Sequence, residues 1–190
     1  MLELKDATLT IHERQYFKRL SFMAMAGQLT CITGPSGAGK TLLVRVMLGF
    51  IPLDEGMVNV NGSVLTPLSA PIFRKMMAYL PQPEKPLAAT AFDNTDGMEA
   101  AWGVSFVKHP QESQLRAGTS SIATELPSLD REATNAAIVV ADDPPLELLG
   151  QLKAMADNGR VVVVATEREE YLKLSDKTII LGNNHDNTLR

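Results

Sequence analysis

The sequence predicts an α/β domain built on a largely parallel sheet. Three observations carry that prediction. The runs Leu29–Thr33, Ala136–Ala141 and Val161–Ala165 are short, continuous and apolar, as strands buried on both faces are. Segments with helical spacing separate them. A glycine-rich stretch, Gly34-Pro-Ser-Gly-Ala-Gly-Lys40-Thr41, joins the first run to a helix.

Leu2–Lys5 alternates like a strand, and Ala7–Ile11 continues in that style. Leu20–Ala26 is a further apolar stretch, closed by Gly27-Gln28, and Leu29–Thr33 leads into the glycine loop. Thr41–Phe50 has Leu42, Leu43, Val46 and Met47 on one side, and Pro52 and Gly56 stop it. Met57–Val60 is a short strand closed by Asn61-Gly62. Pro71–Ala78 reads as a short helix; regular structure then breaks around Pro81, Pro83 and Pro86. Residues 83–130, rich in Ala, Ser, Thr and Gly, read as a small helical subdomain. Leu146–Ala156 reads as a helix stopped by Asn158-Gly159, Glu169–Leu174 as a short helix and Thr178–Leu181 as a last strand, and the polar tail Gly182–Arg190 is expected to fray. No internal repeat is present, so residues 1–190 are taken as a single domain.

Composition narrows the function. The chain has 190 residues, 21% charged and 45% apolar, which suits a globular domain with a sizeable core. Net charge is −4 and there is no run of Lys or Arg, so a nucleic-acid partner is not expected. Cys31 is the single cysteine; it excludes an internal disulfide, and its apolar setting reads as a buried, inert thiol in a reducing compartment. No apolar run approaches the ~20 residues of a membrane span, and the N-terminus lacks a signal-peptide pattern.

The glycine loop fits G-x-x-x-x-G-K-[ST] at every fixed position. A phosphate needs several N–H donors converging on one point, and Gly34, Gly37 and Gly39 let the backbone turn them inward. Pro35, Ser36 and Ala38 complete the cradle. Lys40 is placed to reach the β- and γ-phosphates, Thr41 to ligate Mg²⁺, and the following helix points its positive end at the site. The loop alone also resembles that of guanylate kinases, where it stands almost at the N-terminus.

More of the chain resembles the nucleotide-binding domain of ATP-binding cassette (ABC) transporters. Ala26-Gly27-Gln28 precedes the loop strand as in that family. The stretch from Gly49 to Gly62 looks like the family's "G…P..G.i.i.G" segment, Phe73–Gln82 like the stretch ending in its Q-loop glutamine, and Ala91–Asn94 like a "t…eN" element. The resemblance implies a P-loop NTPase of ABC type, with an antiparallel N-terminal β region and a reduced helical lobe. It implies ATP or ADP with Mg²⁺ as cofactors, Gln82 touching metal and attacking water, and Asp142 holding the metal through water. It also implies a membrane permease as partner and a cytoplasmic location, peripheral on the inner face of a membrane. For the aromatic that stacks on the base, register indicates Ile11 or His12, with Tyr16 the nearest aromatic.

The second half departs from the family. After Ile138–Asp142 the water-polarising glutamate is replaced by Asp143, one methylene shorter. After the strand Val161–Ala165 the family's γ-phosphate histidine is replaced by Glu167, an acid set against the group it should stabilise. The signature LSGGQ is absent; its place falls near Gly118–Ile122, where Ser120 or Ser121 is a weak donor, and Pro127 would break the helix that follows. The D-loop aspartate position falls at Leu149. The resulting expectation is an ABC transporter's ATP-binding subunit with weak or absent hydrolysis, open to a heterodimer with an intact homologue. A non-hydrolytic regulatory or scaffold module is the alternative, and a nucleoside monophosphate kinase a distant third.

Overall fold

A computed structural model describes residues 1–82, 105–106, 136–182 and 188–189. The chain opens with two antiparallel strands, β1 (Leu2–Ile11) and β2 (Arg14–Ala24). His12 and Glu13, both at positive φ, make the two-residue turn between them. β1 is one strand rather than two pieces. An irregularity around Asp6 (φ 50°) shifts the inward phase from Leu2 and Leu4 to Ala7 and Leu9, all of them buried. β2 begins well before the apolar stretch at Leu20, because Arg14–Lys18 supplies the hairpin partner for β1.

β3 (Gln28–Thr33) leads through the glycine loop into α1 (Lys40–Met47), whose Leu43, Val44, Val46 and Met47 are buried. The helix stops earlier than Pro52 suggests. Gly49 takes φ 72° and its N–H bonds the carbonyl of Val46 at 2.9 Å, closing the last turn. β4 (Glu55–Val60) and β5 (Ser63–Val64) form a tight hairpin through Asn61-Gly62, both at positive φ.

α2 (Ala70–Arg74) covers only part of the expected helix, since Met77 and Ala78 belong to β6 (Met77–Leu80). All four β6 side chains are buried, and a strand between two neighbours suits them better than a half-exposed helix. β7 (Ser105–Phe106) is a short parallel strand beside β6. The rest of the expected helical subdomain, 83–104 and 107–130, lies outside the described residues, as do Asn94, Gly118–Ile122 and Pro127.

β8 (Ile138–Asp142) is followed by a single 3₁₀ turn at Leu146–Leu148 and by α3 (Leu149–Asp157). Then come β9 (Val161–Ala165), α4 (Glu169–Leu174) and β10 (Lys177–Ile180). Within the polar tail, Thr188–Leu189 forms β11, antiparallel to β10, instead of fraying; 183–187 and 190 lie outside the described residues.

The strands make two sheets. One is antiparallel with order β2-β1-β4-β5; the other has order β11-β10-β3-β9-β8-β6-β7 and is parallel except at β11. Alternate side chains of the parallel sheet feed two cores. Ile32, Val140 and Val163 pack with α1 and the antiparallel sheet, while Cys31, Val139 and Val164 pack with Leu152, Met155 and Tyr171 of α3 and α4. Sandwiching the sheet in this way is why its strands read as unbroken apolar runs.

Candidate functional site: a phosphate loop at the strand ends

The ends of β3, β6, β8 and β9 lie side by side. Ile32 is in register with Ala165, Asp142 with Ala165, and Leu80 with Ala141. The segments leaving these strands therefore meet at one edge, where ligands of open parallel sheets bind.

The glycine loop occupies the edge after β3. Gly34 has φ 150°, and a Cβ there would lie 2.3 Å from the Leu181 carbonyl oxygen, so no other residue fits without moving the backbone. Gly39, at φ 95°, turns the chain into α1 against the Tyr16 ring. Lys40 folds back over the loop, its ammonium donating to the carbonyls of Gly34 (2.7 Å) and Pro35 (3.1 Å). The same ammonium pairs with Glu167 Oε1 at 2.6 Å.

On the β8 side, Asp142 is buried, and desolvation pushes its carboxyl above the usual range; a hydrogen bond from Thr41 opposes that shift. Asp143 turns the chain at φ 46°, a conformation aspartate tolerates better than most residues. Three donors converge on its carboxylate: Thr166 Oγ1 at 2.8 Å, Arg168 Nε at 3.4 Å and, more distantly, Gln82 Nε2 at 3.5 Å. Thr166 Oγ1 in turn accepts from the Arg168 backbone N–H at 3.2 Å.

These groups line an open cleft of about 700 Å³. Ser36, Gly37, Gly39, Lys40, Thr41, Gln82, Asp142, Asp143 and Glu167 border it, so the structure gathers residues that the sequence spreads from position 36 to position 167. Tyr16 borders it too, whereas Ile11 and His12, at the end of the β1–β2 hairpin, are not among its lining residues. Leu149 packs on the second core.

Two cleft residues escape the sequence reading. Arg14 lies over the Tyr16 ring, 4.8 Å from its centroid, and donates to the Gly37 carbonyl at 2.9 Å. Arg168 pairs with Asp143. The signal for Arg168 was its position directly after Glu167, on the segment leaving a buried strand. Nothing in the sequence singles out Arg14, because its place depends on the antiparallel sheet packing over the loop.

The residues present suit a metal-bound nucleotide. Among the described residues no group of His, Cys, Asp or Glu would hold a metal by itself. Mg²⁺ commonly needs only one or two carboxylates when substrate phosphates complete its shell. Asp142 and Thr41 beside a phosphate loop are such a donor set.

Sheet order and glycine loop together define a P-loop NTPase fold. A family model described as ABC transporter matches residues 17–162. The chain belongs to the ABC transporter family. It is 35% identical over 94 residues to the cytochrome c biogenesis ATP-binding export protein CcmA of Yersinia pseudotuberculosis, covering 50% of this chain and 43% of that protein. It is 33% identical over 81 residues to the manganese transport system ATP-binding protein MntB of Listeria monocytogenes, covering 43% of this chain and 32% of the relative. The match thus spans less than half the length of these relatives. Among solved structures, the dimeric bacterial ABC transporter cassette MJ0796 superposes with a TM-score of 0.66 at 18% identity, covering 100% of this chain and 98% of that one. A bacterial Atm1-family ABC exporter with ATP bound gives 0.62 at 20% identity, covering 96% of this chain and 37% of that one. At these identities the structural likeness establishes the fold. No helix among the described residues is long and apolar enough to cross a membrane.

Proposed function

We propose that this chain is the ATP-binding subunit of an ABC transporter, holding Mg²⁺-nucleotide at the Gly34–Thr41 loop and hydrolysing it weakly or not at all. The observation that carries the reading is the cleft itself, where the loop, Thr41, Gln82 and Asp142 meet at one sheet edge. The loop amides and Lys40 take the β- and γ-phosphates. Thr41 and Asp142 hold the metal, with Gln82 beside them, and the metal when bound neutralises phosphate charge. The partner is a membrane permease, which would place the chain on the cytoplasmic face of a membrane. A heterodimer with a homologue carrying an intact signature fits the same reading.

Weak hydrolysis rests on Asp143 and Glu167. A general base must reach its proton within ~2.6–3.2 Å, directly or through one water. The Asp143 arm is short, and its carboxylate is already bonded to Thr166 and Arg168. Glu167 offers an acid where the family places a phosphate donor.

A non-hydrolytic regulatory module is the second reading, favoured by the two ion pairs that span the cleft. Co-purification with a permease separates the two. The binding claim is tested by calorimetry with Mg²⁺-ATP and Mg²⁺-ADP. Lys40→Ala should weaken both by roughly tenfold or more, since it removes a charge-assisted phosphate contact. Unchanged affinity would mean that the loop is not the site.

A further inference from the structure

The segment after β9 holds two opposite charges in a row, and each is committed to a different partner across the cleft. Glu167 pairs with Lys40 at 2.6 Å. Arg168 pairs with Asp143 at 3.4 Å. Both residues line the cleft. The acid therefore engages the loop's own cation, while a second cation stands one residue further on, held by the aspartate at the end of β8.

We propose that Arg168 is a phosphate-binding residue of this site, selective for the terminal phosphate of a nucleoside triphosphate, with Asp143 as its resting counter-ion. The proposal rests on the nucleotide-binding reading above. Its geometry follows from the strand ends. Lys40, the loop's cation, already reaches Glu167 at 2.6 Å, so a phosphate that Lys40 holds would lie beside the segment leaving β9, in the cleft that Asp143 and Arg168 also line. Asp143 and Arg168 stand on the segments leaving β8 and β9. The Arg168 guanidinium is not locked in place. Among the described residues its carboxylate contact, at 3.4 Å, is long for a charged pair, and its side chain is 41% exposed. A phosphate dianion offers it more charge and better fork geometry than one edge of Asp143 does. A diphosphate ends before this point and leaves the pair in place. The backbone supports such a movement, because the Arg168 N–H stays anchored on Thr166 Oγ1 while the side chain changes partner.

The occupancy of Asp143 then depends on what is bound. With Arg168 drawn away, the carboxylate keeps Thr166 and Gln82 as donors and loses its positive neighbour. Triphosphate binding and the partners of the Asp143 carboxylate are coupled in this way, while diphosphate leaves them unchanged.

A double-mutant cycle read by calorimetry tests this, using Mg²⁺-ATP and Mg²⁺-ADP on the full chain, with Arg168→Gln, Asp143→Asn and the double variant. Arg168→Gln is expected to weaken Mg²⁺-ATP by roughly five- to tenfold, a charge-assisted contact discounted for exposure, and to change Mg²⁺-ADP by less than about twofold. Arg168→Lys should recover part of the loss. Asp143→Asn should strengthen Mg²⁺-ATP in the wild-type background, and most of that gain should vanish without Arg168. An equal loss for both nucleotides, no loss for either, or a gain from Asp143→Asn that persists in Arg168→Gln would overturn the role of Arg168 and leave the nucleotide site standing. If the unmodified chain binds neither nucleotide, the functional reading itself fails, and this proposal with it.

Discussion

Lys40 Nζ lies 2.6 Å from Oε1 of Glu167, a residue 127 positions further along the chain. The contact joins the phosphate loop to the segment after β9. Lys40, which the proposed reading assigns to the phosphates, is therefore already engaged, and in that reading a nucleotide competes with Glu167 for it. The Glu167 side chain is 55% exposed and that of Lys40 only 15%, so solvent screens the acid's end of the pair more than the cation's. Glu167→Gln should strengthen Mg²⁺-ATP by about threefold, the scale of an exposed ion pair. Mg²⁺-ADP should gain less, since only the triphosphate is also relieved of repulsion by the carboxylate. Calorimetry that finds no change for either nucleotide would show that the pair does not compete with phosphate.

Lengthening the base should not restore turnover. In the proposed reading Asp143 stands one methylene short of a water-polarising glutamate, and it is also tied to Thr166 and Arg168. Asp143→Glu moves the carboxylate outward but supplies none of the missing phosphate donors. Groups that act as a unit do not recover one at a time, so the gain in steady-state phosphate release should stay under about tenfold. A gain of orders of magnitude would mean that the site is otherwise complete.

Mg²⁺-ATP should not drive this chain into a tight homodimer. In the family such dimers are closed by the partner's signature motif, which this sequence lacks. Light scattering with saturating Mg²⁺-ATP should give the mass found without nucleotide. A shift to twice that mass would contradict the expectation.

Away from the cleft, Asp176 fixes the start of β3. Its Oδ2 accepts the Leu29 N–H at 2.8 Å while its own N–H donates to the Leu29 carbonyl at 2.9 Å, and Lys153 pairs with the same carboxylate. The backbone bond first, and Lys153 second, hold its carboxyl below the usual value of 3.8. A depressed carboxyl stabilises the fold above its unfolded pKa, and that contribution fades as pH falls through the folded value. Asp176→Ala should lower Tm by roughly 2–4 °C at pH 7, with the gap narrowing below pH 4. A gap independent of pH would assign the loss to packing.

The buried strands were legible because a sheet covered on both faces leaves an unbroken apolar run; β9 and α4 fall where the pattern sets them, at Val161–Ala165 and Glu169–Leu174. The phosphate loop was legible because its backbone turns demand glycine at fixed spacing. The ends of α1 and α2 were not, since Gly49 closes one by a local αL turn and burial between neighbouring strands claims Met77 and Ala78 from the other. The apolar setting of Cys31 in the sequence matches its place, fully buried between the sheet and Tyr171, with its pKa pushed up to about 12 by desolvation. The departures at Asp143 and Glu167 could be read only as losses from a family pattern. Their pairing with Arg168 and Lys40 needed the fold, because it joins residues from separate strand ends through side chains that follow no period.

In the proposed function the chain binds nucleotide and does little with it. The most direct measurement puts both halves on one preparation: calorimetric binding of Mg²⁺-ATP, and phosphate release at saturating Mg²⁺-ATP, with Lys40→Ala as the control for background. Saturable binding that is lost in Lys40→Ala is expected, with phosphate release by the unmodified chain close to that of the variant. Robust release that disappears with Lys40 would contradict this reading and make this chain a working ATPase.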